Sequence, residues 1–173
     1  MASYYYLVSS LPTLTADGDL PITYGAFLNY CQGNVSESTY ELLENLTLSS
    51  KEGPLVSEWA VFYGNLMKEL NSQRSTRLGK PYSSSFDKEP ASASVASAAI
   101  AAKNPLEAEK ILLDYEFEYL DTLTGLHTFD DYVLFGYAIK LKLLERVSCF
   151  EHDKGQKEFT NLFTQVQQRV LSL

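Results

Sequence analysis

The sequence predicts an all-α protein, a helical bundle. Apolar residues recur at helical spacing in the longest segments, as in Leu55, Trp59, Phe62, Leu66 and Leu70. Helix start and stop signals flank these segments, with Asn104-Pro105 before one and Gly125 after it. Because only the N-terminal tyrosines favour a strand, a bundle with short loops is the simplest architecture.

The first half of the chain contains four predicted elements. Tyr4-Tyr5-Tyr6-Leu7-Val8 fits a strand or a short helix, so we expect a short irregular or strand-like start that ends at Pro12. At least one of these three tyrosines should be exposed, since consecutive residues cannot all face one core. A short helix is expected over 22–31, a second one over 39–46 and a long one over 55–77. Ser38 and Glu41 have the spacing of a capping box for the second of these.

The second half contains four predicted helices. Ala91–Ala102 is rich in small residues, and the helix that starts at Asn104-Pro105 has its apolar residues along one face. Residues 129–150 are apolar nearly all round, which is typical of a central helix. The last helix should start near Lys154 and carries Phe159, Leu162, Phe163, Val166 and Val170.

The serine- and proline-containing segment 81–90 is the best candidate for a linker. It would separate an N-terminal helical half, 1–80, from a C-terminal half, 91–173. These halves form either two small lobes or one continuous domain.

The charge composition restricts the classes of partner that the chain can bind. The 173 residues include 14 Lys and Arg against 22 Asp and Glu, a formal net charge of −8. Such a chain is repelled by nucleic acid and by anionic membranes, but it attracts basic protein surfaces. No segment approaches the length of a membrane-spanning helix, and Met1–Pro12 does not have the charge pattern of a secretory signal.

The sequence contains no convincing catalytic, metal or cofactor motif. Gly79-Lys80 lacks the other residues of a phosphate-binding loop. The two histidines, His127 and His152, have no metal-ligand spacing, and we expect solvated or capping roles for them. Cys31 and Cys149 should be reduced, buried thiols, although a helix would bring Cys149 close to His152. We therefore expect no enzyme activity and no cofactor.

Charged residues supply the candidate partner-binding sites. Glu107, Asp114, Glu118 and Asp121 fall on one stripe of the predicted helix, which is either a solvated face or a docking surface for a basic partner. Arg74 and Arg77 either complement the dipole at the end of their helix or grip carboxylates. Arg146 interrupts an apolar helix and should pair with a carboxylate of the acidic helix, since an unpaired buried cation is costly.

Four stretches together resemble a known family. They are Tyr4-Tyr5-Tyr6-Leu7-Val8-Ser9-Ser10-Leu11-Pro12, Trp59-x-x-Phe62-Tyr63-x-Asn65-Leu66 with Arg74 and Arg77, Asn104-Pro105-Leu106-x-x-Glu109, and Phe129-Asp130-x-x-x-Leu134-x-x-Tyr137-Ala138-x-Lys140-Leu141 with Glu145-Arg146. The chain is similar to a short bacterial family associated with V-type (A-type-like) ATP synthases. That family in turn resembles a shortened form of the C subunit of these enzymes, whose eukaryotic counterpart is called the d subunit.

The resemblance implies a mechanical role. The C subunit is a helical adaptor between the central rotor stalk and the membrane ring of proteolipid subunits, and it does no chemistry. The chain would then be cytoplasmic, peripheral to the inner face of the cell membrane, and a component of a proton- or ion-transporting complex. Two alternatives remain: a helical interaction or assembly factor unrelated to the ATPase, and an enzyme with a buried carboxylate pair in the acidic helix.

Overall fold

A computed structural model describes residues 4–149 and 152–171, with side chains of the last helix described over 155–169. Within these ranges the protein is all-α and contains no strand. The helices are α1 (Tyr5–Ser10), α2 (Tyr24–Cys31), α3 (Glu37–Glu44), α4 (Val56–Arg77), α5 (Pro90–Ala101), α6 (Pro105–Thr124), α7 (Asp131–Ser148) and α8 (His152–Leu171). The predicted fold class is confirmed.

Local signals set several of the helix ends. The Asn104 side chain accepts from the Glu107 N–H at 2.8 Å and caps α6, and Pro105 follows at the first helical position, as predicted. At the other end of α6, Gly125 has a φ of +50°, a conformation that favours glycine. Gly79 has a φ of +67° and ends α4, again as predicted.

The N-terminal segment departs from the strand-like expectation, since residues 5–10 are helical. An isolated strand would leave its N–H and C=O groups without partners, and a helix satisfies them internally. Tyr4 anchors the segment: its N–H donates to Phe129 O at 2.8 Å and its hydroxyl to Asp131 Oδ1 at 2.8 Å. Tyr4 is buried and Tyr6 is 87% exposed, so the expectation of an exposed tyrosine is confirmed.

The predicted capping box of α3 is wrong. Ser36, not Ser38, is the cap, and its hydroxyl accepts from the Thr39 N–H at 3.1 Å. The helix therefore begins two residues before the predicted position, which places Ser38 and Glu41 inside its turns.

The four helices α4–α7 form the body, and side-chain contacts give their directions. Gln73 Nε2 donates to Ala93 O at 3.0 Å and Arg77 Nη1 to Ile100 O at 2.8 Å, so α5 runs parallel to α4. Because two parallel neighbours need a connection that runs back along the bundle, the non-helical segment 78–89 leads the chain from the end of α4 to the start of α5. The helices α6 and α7 pack antiparallel, with Lys140 beside Asp121 and Arg146 beside Glu116.

One buried core contains residues from both sides of segment 81–90. Trp59 and Leu66 of α4 share it with Leu120 of α6 and Leu134 and Leu141 of α7. The helices α2 and α3 pack against α7, whereas among the described residues α8 forms no extensive contact with another helix. The division into two halves stays a prediction.

Candidate functional site

The apolar face of α8 is uncovered in the part of the chain that the structure describes. We define the α8 stripe as Phe159, Leu162, Phe163 and Val166, which are 69%, 60%, 53% and 59% exposed. Their spacing of three and four residues puts them on one side of the helix, and the Phe159 and Phe163 rings stack with centroids 6.3 Å apart. Uncharged polar residues occupy most of the opposite side. An exposed apolar stripe with this spacing is the kind of surface that an amphipathic partner helix can cover.

The sequence showed this pattern, yet it did not show that the face lacks a neighbour. An amphipathic helix has the same spacing whether it packs on its own core or binds a partner. The prediction named these residues as part of a helix and missed them as site residues. The long uncharged polar face was an additional signal, but it does not distinguish the two cases.

Arg74 and Arg77 lie at the end of α4, on the rim of a cleft of about 500 Å³ between this end, the end of α5 and the start of α6. Arg77 binds the carbonyl of Ile100, and the Arg74 side chain is exposed. Lys103 also lines the cleft, a cation that the sequence did not connect with the two arginines. We call this site the basic cleft.

The four carboxylates of the predicted acidic stripe are all exposed on α6. Glu107 accepts from the Lys103 backbone N–H at 3.1 Å, next to the basic cleft. Asp121 forms an ion pair with Lys140 of α7, 2.5 Å away. Among the described residues, Asp114 and Glu118 are thus the two carboxylates of the stripe whose side chains have neither a hydrogen bond nor an ion pair.

Asp114, Glu118 and Asp121 line a second cleft, of about 600 Å³, together with the loop residues Leu14–Ala16. Partial burial and the nearby Asp17 raise the pKa of the Asp114 carboxyl, while Lys110 opposes them. This cleft is acidic and shallow, and it fits a basic protein surface better than a small molecule.

Arg146 is held by two carboxylates of α6, as predicted. Its Nη2 donates to Glu116 Oε2 at 2.7 Å, its Nη1 lies 3.3 Å from Glu116 Oε1, and its Nε faces Glu109 Oε1 as a close ion pair. Glu116 is fully buried, and burial raises its pKa to about 7 against the opposing effect of Arg146. The two carboxylates in turn raise the pKa of Arg146, which stays cationic.

The buried Glu116 has the property that we expected of an enzyme carboxylate. However, Arg146 engages both of its oxygens and Glu116 has no exposed surface, so the carboxylate is not accessible to a substrate in this fold. Since Arg146 ties α7 to two turns of α6, a structural role accounts for the arrangement.

The remaining reactive side chains are dispersed. The His127 ring pairs with Asp130, the cap of α7, and stacks on Tyr132. Cys31 is buried, and its pKa is raised to about 12 by burial. Cys149 is exposed, which contradicts the expected buried thiol, because it follows the last turn of α7. The side chain of His152 lies outside the described residues, so its proximity to Cys149 is not tested.

No three His, Cys, Asp or Glu side chains gather as metal ligands within 4–149 and 152–171. In the same ranges no helix is both long and apolar enough to cross a membrane. Comparisons with protein-family models, with curated proteins and with solved structures gave no match.

Proposed function

We propose that this chain is a non-catalytic adaptor of a V-type ATP synthase that couples the rotor stalk to the membrane ring, as the resemblance to the C subunit implies. The observation that carries the proposal is the α8 stripe, an apolar face that is uncovered, on a helix without extensive packing, in the part of the chain that the structure describes. A helical body with such a docking element fits one side of an adaptor, which also needs a second surface for its other partner.

The exposed apolar area of the α8 stripe sets the free energy that a partner gains by covering it. At roughly 100 Å² of exposed apolar surface per side chain, the four residues of the α8 stripe offer about 400 Å². At about 25 cal/mol per Å², covering this area contributes about 10 kcal/mol before the entropic costs of association. Association itself costs about 4–15 kcal/mol, so the stripe supplies part of the affinity, and the partner's own apolar area and further contacts supply the rest.

The occupant that fits best is an amphipathic helix of a stalk protein. Phe159, Phe163 and Val166 follow the four–three spacing of a coiled-coil seam, and Leu162 widens the seam on one side. On one flank of the seam Thr160 and Gln167 carry no charge, whereas Arg169 lies on the flank of Leu162, so a charge requirement on the partner helix arises on that flank.

Cross-ties within the body support a mechanical role. Arg146 links α7 to Glu109 and Glu116 of α6, and Lys140 links it to Asp121. A body tied in this way resists sliding of one helix past another, which is what transmission of torque requires.

An assembly factor unrelated to the ATPase would use the same α8 stripe, so the identity of the captured protein separates the two functions. The test is affinity capture of the tagged chain from its native cells at its native level, followed by quantitative mass spectrometry. We expect stalk and proteolipid subunits of the ATP synthase with the wild type, and at least about tenfold less of them with Phe159→Gln/Phe163→Gln.

A matched control is Val61→Gln/Leu126→Gln, which changes two apolar residues that are 64% and 100% exposed elsewhere. This variant should capture the same subunits as the wild type, and helix content by circular dichroism should be equal in all three proteins. An extract with intact ATP synthase from which the wild type captures none of its subunits would refute the stalk role. Capture of other, identified clients that depends on Phe159 and Phe163 would establish the assembly factor instead.

A further inference from the structure

The basic cleft combines a charged rim with an apolar floor. Ala99 and Ile100 of α5 and Ala108 of α6 form the floor, while Arg74, Arg77 and Lys103 stand around it. Ala99 is buried and Ile100 is half-buried, so the floor continues the apolar core to the surface. The exposed side chain of Leu78 extends this apolar surface at the edge.

The cations of the rim are available to a ligand. Among the described residues, the side chains of Arg74 and Lys103 donate no hydrogen bond and form no ion pair. Arg77 donates through Nη1 to Ile100 O, which orients the guanidinium, and its other N–H groups have no acceptor within the described part of the chain. Lys80, three residues further along the chain and beyond the end of α4, is exposed and adds to the local positive charge.

This local charge opposes that of the whole chain. With a net charge of −8, the protein repels polyanions at a distance, so a nucleic acid or an anionic membrane is a poor match for the cleft. A short segment with two or three carboxylates and an apolar side chain experiences less of this repulsion. Its carboxylates fit the forked N–H groups of arginine, and its apolar side chain fits the floor.

We propose that the basic cleft binds an acidic, amphipathic segment of a partner protein, with carboxylates on Arg74, Arg77 and Lys103 and an apolar side chain against Ile100. This inference deepens the proposed function, on which it rests, by stating the chemistry of a second contact. It concerns a different surface from the α8 stripe, so the two are tested by different variants.

The probe is a fluorescein-labelled 14-residue peptide with Glu and Leu at helical spacing, whose binding to the full chain is followed by fluorescence anisotropy. Two further peptides replace every Glu by Lys or every Leu by Ser. We expect the Glu–Leu peptide to bind at least about tenfold more tightly than either one, because it alone satisfies both the rim and the floor.

Arg74→Glu/Arg77→Glu should weaken binding of the Glu–Leu peptide by at least about tenfold. The control is Lys51→Glu/Lys68→Glu, in a separate cleft along the first two thirds of α4, which makes the same change of net charge, from −8 to −12. It should weaken binding by less than about threefold. Arg74→Glu alone removes no hydrogen bond or ion pair among the described residues, and it should still weaken binding by about threefold or more if the double variant does not fold.

Equal binding by wild type and the arginine variants would overturn the proposal, and so would an equal loss with the lysine control, since long-range charge would then explain the effect. Equal binding of the Lys–Leu peptide would overturn it in favour of a purely apolar site. Stronger competition by single-stranded RNA or by phosphatidylglycerol vesicles than by unlabelled peptide would replace the acidic segment with that ligand. All binding measurements are repeated in the Phe159→Gln/Phe163→Gln background, which removes the α8 stripe as a second site for an amphipathic peptide. A failure at the basic cleft in that background does not decide the α8 proposal.

Discussion

Arg146→Met tests the cross-tie between α6 and α7. In the folded protein Arg146 binds both oxygens of the buried Glu116 and also faces Glu109, whose side chain is 15% exposed. Methionine keeps much of the volume of the side chain but removes the cation. Two carboxylates then remain inside the protein without a countercharge.

The cost follows from the burial of Glu116. Breaking a buried ion pair by removing one partner costs about 3–5 kcal/mol. Glu116 can escape part of this cost by binding a proton, and its pKa already lies near 7 in the wild type. We therefore expect a loss of about 3 kcal/mol at pH 7 and a larger loss at higher pH, where each unit of pH adds up to about 1.4 kcal/mol to the cost of protonation. For a chain of this size, about 3 kcal/mol corresponds to a fall in Tm of about 6–12 °C.

Urea unfolding measures this loss. Trp59, the single tryptophan of the chain, is fully buried and stacks on Tyr63, so its fluorescence reports on the core. Lys110→Met, on the exposed side of α6, is the matched control and should change the free energy of unfolding by less than about 0.5 kcal/mol. The double variant Glu116→Leu/Arg146→Met should recover part of the loss, because Glu116 no longer needs a countercharge while Glu109 still lacks one. Arg146→Met with the same midpoint and slope as the wild type would refute the reasoning.

Two further predictions concern stability. Because the pKa of Glu116 rises from 4.5 to about 7 on folding, the folded state binds this proton more tightly than the unfolded state. The free energy of unfolding of the wild type, minus that of Glu116→Gln, should thus be greatest below pH 4.5 and fall by up to about 3 kcal/mol as the pH rises through 7. Urea unfolding of both proteins across this pH range measures the difference. A difference that rises with pH would contradict the prediction. Gly136→Ala should lower the free energy of unfolding by about 1–3 kcal/mol, because its Cβ would lie 2.7 Å from the methyl group of Thr124. Gly64→Ala in α4 should raise it by about 0.5–1 kcal/mol, because a Cβ there meets nothing within 4 Å and alanine favours the helix. Thermal unfolding measures the change in Tm of each variant relative to the wild type, and changes of the same sign in both variants would contradict the packing argument.

Local signals explain which helices could be predicted. The long segments in α4, α6 and α7 repeat apolar residues with a helical period, and Asn104, Gly79 and Gly125 mark helix ends where the backbone requires it. The short N-terminal segment gave no such signal, because six residues are too few to show a period. Its conformation depends on Tyr4, which binds Phe129 and Asp131 more than 120 residues away in the chain.

The sequence by itself determined that the chain folds into helices and that Arg146 needs a carboxylate, since both follow from residue type and spacing. Only the tertiary structure decided which carboxylates pair with Arg146 and that Lys103 joins Arg74 and Arg77 around one apolar floor. It also decided that, within residues 4–149 and 152–171, α8 has no extensive contact with the body. The reason is physical: amphipathic spacing fixes which face of a helix is apolar, while only the packing of the whole chain fixes what lies against that face.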